Sequence, residues 1–222
     1  MKIQSLIVLT GPTGVGKTAL TLDIAQHYGI EIINADSRQI YKELQIGTAA
    51  PTKAQLERVK HHFVASKNVN DYYSASLYEQ DVLELLKANP ASTYILSGGS
   101  MMYVDAVCYG IDEIPTIDNK VRQDLMKMYE AEGLNKLCDL LKDLDPAHWD
   151  IVDKQNPRRV LHELEVCVQT GKTYTSFRTK QRKERPFNII KIGLNCPRED
   201  LYNQINARVE NMVASGLIDE AL

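Results

Sequence analysis

A glycine-rich loop near the start of the chain constrains the fold more than any other stretch. Gly11–Thr18 reads GPTGVGKT and fills every fixed position of the phosphate-binding pattern G-x-x-x-x-G-K-[ST]. The apolar run Leu6–Leu9 predicts a buried parallel strand before the loop, and Thr18–His27 predicts a helix after it. Loop N–H groups at the positive end of such a helix bind phosphate oxygens. The sequence therefore predicts a site for a diphosphate or polyphosphate.

The residues of this loop have separate predicted roles. Lys17 is expected to reach the terminal phosphates, and the Thr18 hydroxyl is expected to bind a magnesium ion. Because many nucleotide- and ATP-binding proteins share the loop, it does not by itself select the ligand. The alternative is a strand–helix turn with no ligand, which the agreement of strand, loop and helix disfavours. The residues predicted to bind the diphosphate or nucleotide are Gly11, Pro12, Thr13, Gly14, Val15, Gly16, Lys17 and Thr18.

A second predicted strand brings a carboxylate towards the loop. Ile30–Asn34 reads as this strand, and Asp36 follows it directly. Two parallel strands joined by a right-handed crossover open on the same side of the sheet, so Asp36 is expected beside the phosphates. A carboxylate there must be held against like charge by a metal or take part in a reaction. The alternative is that Asp36 or Ser37 caps the following helix.

A third strand is predicted at Tyr94–Ser97, followed by Gly98, Gly99 and Ser100. Small residues at the end of a central strand allow a ligand or another backbone to come close. The strand lacks the terminal acidic residue that holds the metal in a typical nucleotide-hydrolysing P-loop protein. We therefore predict an α/β fold, a nucleotide-kinase-like P-loop core with a parallel sheet, without a motor or switch function.

The charge pattern changes after this core. Residues 112–150 carry ten acidic and five basic residues, whereas residues 151–191 carry ten basic and four acidic, a net charge of +6. The basic half contains Lys172–Lys183, which interleaves aromatic and cationic residues and suits a nucleic-acid backbone with unstacked bases. A solvated surface is the other interpretation, and the composition leaves both open.

The predicted domains follow from this change. Residues 1–110 and 187–222 are assigned to the P-loop core, and residues 111–186 to a helical insertion. Helices are expected over Asn119–Glu132, Leu134–Lys142 and Arg158–Gln169.

The overall composition limits the class of protein. The net charge of −3 gives no global nucleic-acid signature, so such a claim must rest on local charge. No apolar run approaches the roughly 18 residues that a membrane span needs. The four cysteines are widely spaced, which predicts reduced thiols in a cytoplasmic protein. The chain stops within an apolar helical pattern, so we expect it to be a fragment.

Several stretches together resemble the tRNA dimethylallyltransferase family. Beyond the phosphate loop they are NADSRQIYKELQIGTAAP at 34–51, SGGSMMY at 97–103, NPRRVLHELEV at 156–166, and the stretch at 197–221. The loop is shared by many families, whereas the second and third stretches are more specific. The resemblance implies transfer of a dimethylallyl group from dimethylallyl diphosphate to the exocyclic amine of the adenosine 3′ of the anticodon in tRNA. It implies magnesium as cofactor, tRNA as partner, no membrane and a monomer.

The resemblance also implies roles for individual residues. Asp36 is the expected catalytic carboxylate, and Thr13 and Arg208 are expected to face the diphosphate during catalysis. At the position of His162 the family usually has an arginine, and it continues past Leu222. The residues implied to contact tRNA are Asp36, Ser37, Arg38, Gln39, Ser100, Arg122, Arg158, Arg159 and His162.

Two other functions remain as alternatives at this point. A small P-loop nucleotide or nucleoside kinase would use the same loop, with the insertion as a lid and Arg208 as a phosphate clamp. Turnover of ATP with a nucleoside monophosphate would identify it. A non-catalytic RNA-binding module is disfavoured because Lys17, Thr18 and Asp36 are all present.

Overall fold

The structure, a computed structural model, describes residues 4–179 and 181–222. The chain divides into two compact units, Met1–Ile111 with Arg182–Leu222, and Asp112–Gln181. The boundaries expected from the sequence place residues 111–186 in the insertion, whereas Ile111 and residues 182–186 belong to the first unit. Lys180, within the predicted basic stretch, lies outside the described residues.

The two units consist of the following helices and strands. In chain order they are β1 (Ser5–Thr10), α1 (Lys17–Tyr28), β2 (Glu31–Asn34), α2 (Lys53–Arg58), β3 (His61–His62), α3 (Ala75–Ala88), β4 (Tyr94–Ser97), α4 (Met101–Tyr109), α5 (Asn119–Leu144), α6 (Pro146–Trp149), α7 (Pro157–Thr170), α8 (Tyr174–Phe177), β5 (Asn188–Gly193), α9 (Arg198–Ala214) and α10 (Leu217–Ala221). Helices α5 to α8 form the second unit, and all the other elements belong to the first.

In the part of the chain that the structure describes, the strands form one sheet in the order β3-β2-β4-β1-β5. Every pairing is parallel, with Leu6 opposite Tyr94 and Ile32 opposite Ile95. Parallel sheets require helices on their faces, which explains the continuous apolar runs in β1 and β4. The predicted fold, a nucleotide-kinase-like P-loop core with a parallel sheet and a helical insertion, is confirmed.

The two faces of the sheet are covered by different helices. On one face Leu6, Val8, Ile33 and Leu96 pack in a cluster with side chains of α3 and α4. On the other face a smaller cluster joins side chains of β1, β2 and β4 to α1. Its buried members include Leu9, Leu22, Ala25, Ile32 and Ile95. The strands are therefore packed on both faces, and the candidate active site is built on their carboxyl ends.

A buried ion pair between Arg185 and Glu79 lies in the first unit. It is close to the points where the chain leaves this unit and returns to it, at Ile111 and Arg182. The Arg185 guanidinium donates to Glu79 Oε1 at 2.6 Å and to the carbonyls of Ala106 and Val107 at 2.6 and 2.8 Å. The other Glu79 oxygen accepts the N–H of Ile111 at 3.1 Å. Arg185 was counted within the basic half, but its side chain is only 7% exposed. The charge of Arg185 is therefore paired with that of Glu79 inside the first unit.

The second unit has its own core between α5 and α7. Leu125, Leu137, Leu141, Val160 and Leu164 are buried there. Helix α5 is broken at Gly133, whose φ of 79° separates the two helices that the sequence predicts. Across the described residues, no helix combines the length and the apolar character that crossing a membrane requires. All four cysteines are free thiols.

Two helices of the first unit have clear ends. Ser74 caps α3, because its hydroxyl accepts the N–H of Leu77 at 3.3 Å. Helix α2 ends at Arg58, and His61 begins the edge strand β3. His62 lies 2.7 Å from a carboxylate oxygen of Glu31, a contact within the sheet.

Candidate active site

The site lies where the carboxyl ends of three adjacent strands meet. Strand β4 lies between β1, which leads into the phosphate loop, and β2, which leads to Asp36. Gly98 follows β4, and a Cβ at that position would lie 2.1 Å from the carbonyl carbon of Ala35. The N–H of Ala35 donates to the Ser97 carbonyl at 2.8 Å. Glycine therefore allows the ends of β2 and β4 to come together, as the sequence predicted for small residues here.

Asp36 divides its two carboxylate oxygens between structure and the site. Oδ1 accepts the N–H groups of Arg38 and Gln39 at 2.9 and 3.3 Å, which closes the turn after β2. Oδ2 lies 2.9 Å from where a Cβ of Gly99 would be, so a larger residue there would displace the carboxylate. The alternative that Asp36 or Ser37 caps a following helix is wrong, because residues 37–40 form a turn and the next helix, α2, begins at Lys53. Asp36 also lines the cavity described below.

Ser37 and Ser100 form one hydrogen-bonded pair beside Asp36. Ser100 Oγ accepts the N–H of Ser37 at 2.8 Å and donates to Ser37 Oγ at 2.9 Å. Arg38, the next residue, is exposed. The structure therefore brings Ser37 and Ser100 together, although they are distant in sequence.

The phosphate loop ends in a helix start that offers N–H groups to a ligand. Gly16 has a φ of 92° and caps α1 without a side chain, so the first N–H groups of the helix have no side-chain cap. Lys17 Nζ donates to the carbonyls of Gly11 and Pro12 at 2.8 Å each. These contacts hold the ammonium group over its own loop.

A cavity of about 480 Å³ opens above these strand ends. This volume falls in the range typical of small-molecule sites. Of the predicted loop residues, Thr13, Gly14, Gly16, Lys17 and Thr18 line it, whereas Gly11, Pro12 and Val15 are not among the lining residues. The rest of its wall is formed by Thr21, Ile32, Asn34, Asp36, Gln39, Ala49, Ala50, Pro51, Thr52, Gln55, His61, Ser97, Gly98, Gly99, Gln204 and Arg208.

Two cations and one carboxylate share this cavity. Burial lowers the pKa of Lys17, the charge of Arg208 lowers it further, and Asp36 partly opposes both effects. Arg208 Nη2 donates to the Thr48 carbonyl at 3.3 Å. Gln39 Nε2 donates to the same carbonyl at 3.0 Å. A small cavity that holds two cations is suited to an anion with more than one charge.

The site residues also offer suitable ligands for magnesium. The ion prefers oxygen ligands, and in phosphate sites one or two protein oxygens and the phosphates hold it. Thr18 is exposed, and both Thr18 and Asp36 line the cavity. Within residues 4–179 and 181–222, no three His, Cys, Asp or Glu side chains come together as a metal cluster. A magnesium ion held partly by a substrate fits this set.

The remaining predicted residues lie in the second unit. Arg122 Nε donates to Glu165 Oε1 at 3.1 Å, and His162 Nδ1 lies 3.9 Å from Glu165 Oε2. Burial lowers the pKa of His162, which favours the neutral imidazole. Arg158 and Arg159 begin α7 and are exposed. Three of these predicted contact residues are arginines, and of those three Arg122 is paired with a carboxylate.

Comparison with known proteins decides the family. A family described as IPP transferase matches residues 39–222. The chain is 59% identical over 221 residues to "tRNA dimethylallyltransferase 1" of Phocaeicola vulgatus, covering 98% of this chain and 73% of that protein. The chain belongs to the tRNA dimethylallyltransferase family. A second family member, from Bacteroides fragilis, is 56% identical and covers 100% of this chain and 74% of that protein.

Solved structures agree with this assignment. The full-length tRNA isopentenylpyrophosphate transferase of Bacillus halodurans matches with a TM-score of 0.61 and 32% identity, over 100% of this chain and 69% of that one. A eukaryotic dimethylallyltransferase acting on tRNA matches with a TM-score of 0.77 and 24% identity, over 98% and 55%. At that identity the second match supports the fold. Membership of the tRNA dimethylallyltransferase family disfavours the kinase alternative.

Some residues that line the cavity, among them Thr21 and Gln204, were not predicted from the sequence. Thr21 is 2% exposed, and its hydroxyl has no hydrogen-bond partner among the described residues. It follows Lys17 by four positions on α1, as Arg208 follows Gln204 on α9. Residues four apart on a helix share a face, so this spacing was the available signal.

Proposed function

We propose that this protein transfers a dimethylallyl group from dimethylallyl diphosphate to the exocyclic amine of the adenosine 3′ of the anticodon in tRNA. The observation that carries the proposal is that Lys17, Arg208 and Asp36 line one cavity. These groups are the two cations and the proton acceptor that the reaction needs. The free thiols and the tRNA substrate favour a cytoplasmic enzyme.

The first requirement is to stabilise the leaving group. The amine nitrogen forms a bond to the allylic carbon while the carbon–oxygen bond breaks and diphosphate departs with the electron pair. Negative charge therefore develops on the diphosphate. In our proposal the loop N–H groups, Lys17 and Arg208 bind that charge, with Thr13 beside them. Each preorganised donor of this kind is typically worth ~10²–10³-fold in rate.

The second requirement is an acceptor for one amine proton. The amine becomes acidic as the new bond forms, so a positioned carboxylate is sufficient. Asp36 is held by two backbone N–H groups on Oδ1, which leaves Oδ2 to accept the proton. General-base assistance of this type contributes about 10²–10⁴-fold.

The other wall residues are assigned to substrate orientation. Ile32, Ala49, Ala50 and Pro51 provide apolar surface for the prenyl group. Ser37, Arg38, Gln39 and Ser100 are assigned to the adenosine side. The adenine must leave its stack to reach a recessed site, and contacts with protein side chains offset part of that cost.

Magnesium is assigned to the diphosphate. Thr18 would hold the ion, and Asp36 lines the same cavity. When bound, the ion would neutralise part of the diphosphate charge. The loop N–H groups and the two cations would still orient the diphosphate.

The donor can be tested by ligand-induced stabilisation. A ligand that binds only the folded protein raises its melting temperature according to its affinity. Dimethylallyl diphosphate with magnesium should raise the melting temperature more than ATP with magnesium at equal concentration. If ATP stabilises the protein far better and is hydrolysed, the kinase alternative replaces this proposal.

The second unit is assigned to tRNA contacts through Arg122, Arg158, Arg159 and His162. Replacing Arg158 and Arg159 by Ala should weaken tRNA binding and make its salt dependence shallower. Each phosphate contact contributes roughly 0.7–0.9 to the slope of log affinity against log salt, so two lost contacts should change it by about 1.4–1.8. The measurement is tRNA binding over a salt series, with dimethylallyl diphosphate binding expected to stay unchanged.

The matched control replaces Lys127 and Lys136, two exposed cations of α5 in the same unit. Each lies near an acidic side chain on its own helix, at 3.9 and 4.0 Å. This double variant removes the same charge and should leave the slope close to that of the unaltered protein. Equal slopes for both double variants would show that Arg158 and Arg159 belong to a solvated surface.

A further inference from the structure

Glu220, in the last helix of the described chain, binds the backbone of a distant loop. Its Oε2 accepts the N–H groups of Gln45 and Ile46 at 2.8 and 2.6 Å. Its Oε1 accepts the N–H of Gly47 at 2.7 Å. Three short hydrogen bonds to one carboxylate form a specific contact, since charged acceptors make stronger bonds than neutral ones. These bonds lower the pKa of Glu220, so the carboxylate stays ionised at neutral pH.

The loop that Glu220 holds has a strained and compact backbone. The N–H of Ala50 donates to the Gln45 carbonyl, and the N–H of Ala49 donates to the Ile46 carbonyl, both at 2.9 Å. Ala49 has a φ of 48°, in the left-handed region that residues with a side chain seldom adopt. Such a conformation persists only where the surroundings fix it.

The carbonyls of this loop hold two residues of the candidate active site. The Thr48 carbonyl accepts Arg208 Nη2 at 3.3 Å and Gln39 Nε2 at 3.0 Å, and the Ala49 carbonyl accepts Gln39 at 3.2 Å. These carbonyls directly follow the three N–H groups bound by Glu220. The position of the loop therefore determines where the Arg208 guanidinium is held.

We propose that Glu220 is a positioning residue for prenyl transfer, which sets loop 45–49 so that its carbonyls direct Arg208 and Gln39 into the diphosphate cavity. The inference rests on the proposed function of Arg208. Gly47 supports it, because a Cβ there would lie 3.0 Å from Leu217 and 3.3 Å from Glu220 Oε1. The close approach of α10 to the loop thus depends on glycine at this position.

The test compares a nearly isosteric variant with a matched control. Glu220→Gln keeps the size of the side chain and one acceptor oxygen but removes the charge and turns an NH₂ group towards N–H donors. Asp219→Asn makes the same chemical change at the neighbouring residue, which is exposed. We expect Glu220→Gln to weaken dimethylallyl diphosphate binding by about tenfold and Asp219→Asn to leave it unchanged. The measurement is calorimetric titration, with thermal unfolding of each variant alongside.

A double-mutant cycle separates positioning from a general structural role. If Glu220 acts through Arg208, the Glu220→Gln penalty should fall below about twofold in an Arg208→Ala background. A residue that only anchors α10 would give the same penalty in both backgrounds. An undiminished penalty in that background, or affinity equal to that of Asp219→Asn, would overturn the proposal.

Failure of the proposed function has a different signature. Lys17→Ala, made in parallel, removes a cation whose hydrogen bonds in the described structure go to Gly11 and Pro12 rather than to the loop of Glu220. If Lys17→Ala binds dimethylallyl diphosphate as tightly as the unaltered protein, the diphosphate site itself is wrongly assigned. If only Lys17→Ala loses affinity, the site stands and the role of Glu220 is rejected.

Discussion

Asp36→Asn should leave dimethylallyl diphosphate binding nearly intact while slowing prenyl transfer by ~10²–10⁴-fold. Asparagine keeps an oxygen that accepts the N–H groups of Arg38 and Gln39, so the turn after β2 should persist. It removes the second carboxylate oxygen, which is the proposed proton acceptor. Single-turnover transfer measures the chemical step, and calorimetry measures binding of the diphosphate separately.

The control for this prediction is Asp219→Asn, an equivalent change at an exposed carboxylate of the same unit. It should leave both the transfer rate and the diphosphate affinity unchanged. A single-turnover rate for Asp36→Asn close to that of the control would remove Asp36 from the mechanism.

Lys17→Ala should behave differently, because it should lower diphosphate affinity as well as the rate. A full charge at contact distance with an effective dielectric constant near 20 contributes about 4 kcal/mol, so a roughly 100-fold loss of affinity is expected after partial compensation by Arg208. The pKa of Lys17 is lowered by burial first and by the charge of Arg208 second, so the two cations repel each other within the cavity. Calorimetric titration with dimethylallyl diphosphate measures the loss.

Lys87→Ala serves as the control, since Lys87 is an exposed cation in the last turn of α3 and is not a lining residue. It should bind the diphosphate as the unaltered protein does. If Lys17→Ala matches Lys87→Ala in affinity, the phosphate loop is not the diphosphate site.

The parts of the site that follow strands were predictable from the sequence. A phosphate loop after one parallel strand and Asp36 after the next must meet at one edge of the sheet, since right-handed crossovers leave no other arrangement. The small residues after Tyr94–Ser97 likewise indicated a close approach, which Gly98 makes to Ala35. These predictions needed only local patterns and the handedness of the crossover.

Contacts between distant segments were not predictable in this way. No periodicity relates Glu220 to the N–H groups of Gln45 and Gly47, since a carboxylate that binds loop backbone leaves no pattern in either segment. Arg185 was counted within the basic half because composition does not record burial, although its guanidinium bonds to Glu79. The resemblance to a family supplied Arg208, which spacing alone would not have placed near Lys17.

The transfer of label from the prenyl donor to tRNA tests the central claim most directly. The protein is incubated with magnesium, dimethylallyl diphosphate labelled in its prenyl group, and unmodified tRNA, which is then digested to nucleosides. We predict label on the adenosine 3′ of the anticodon, with one diphosphate released for each transfer. A tRNA with inosine at that position lacks the exocyclic amine and should take up no label. Label absent from adenosine, together with ATP-dependent phosphorylation of a nucleoside monophosphate, would contradict the account.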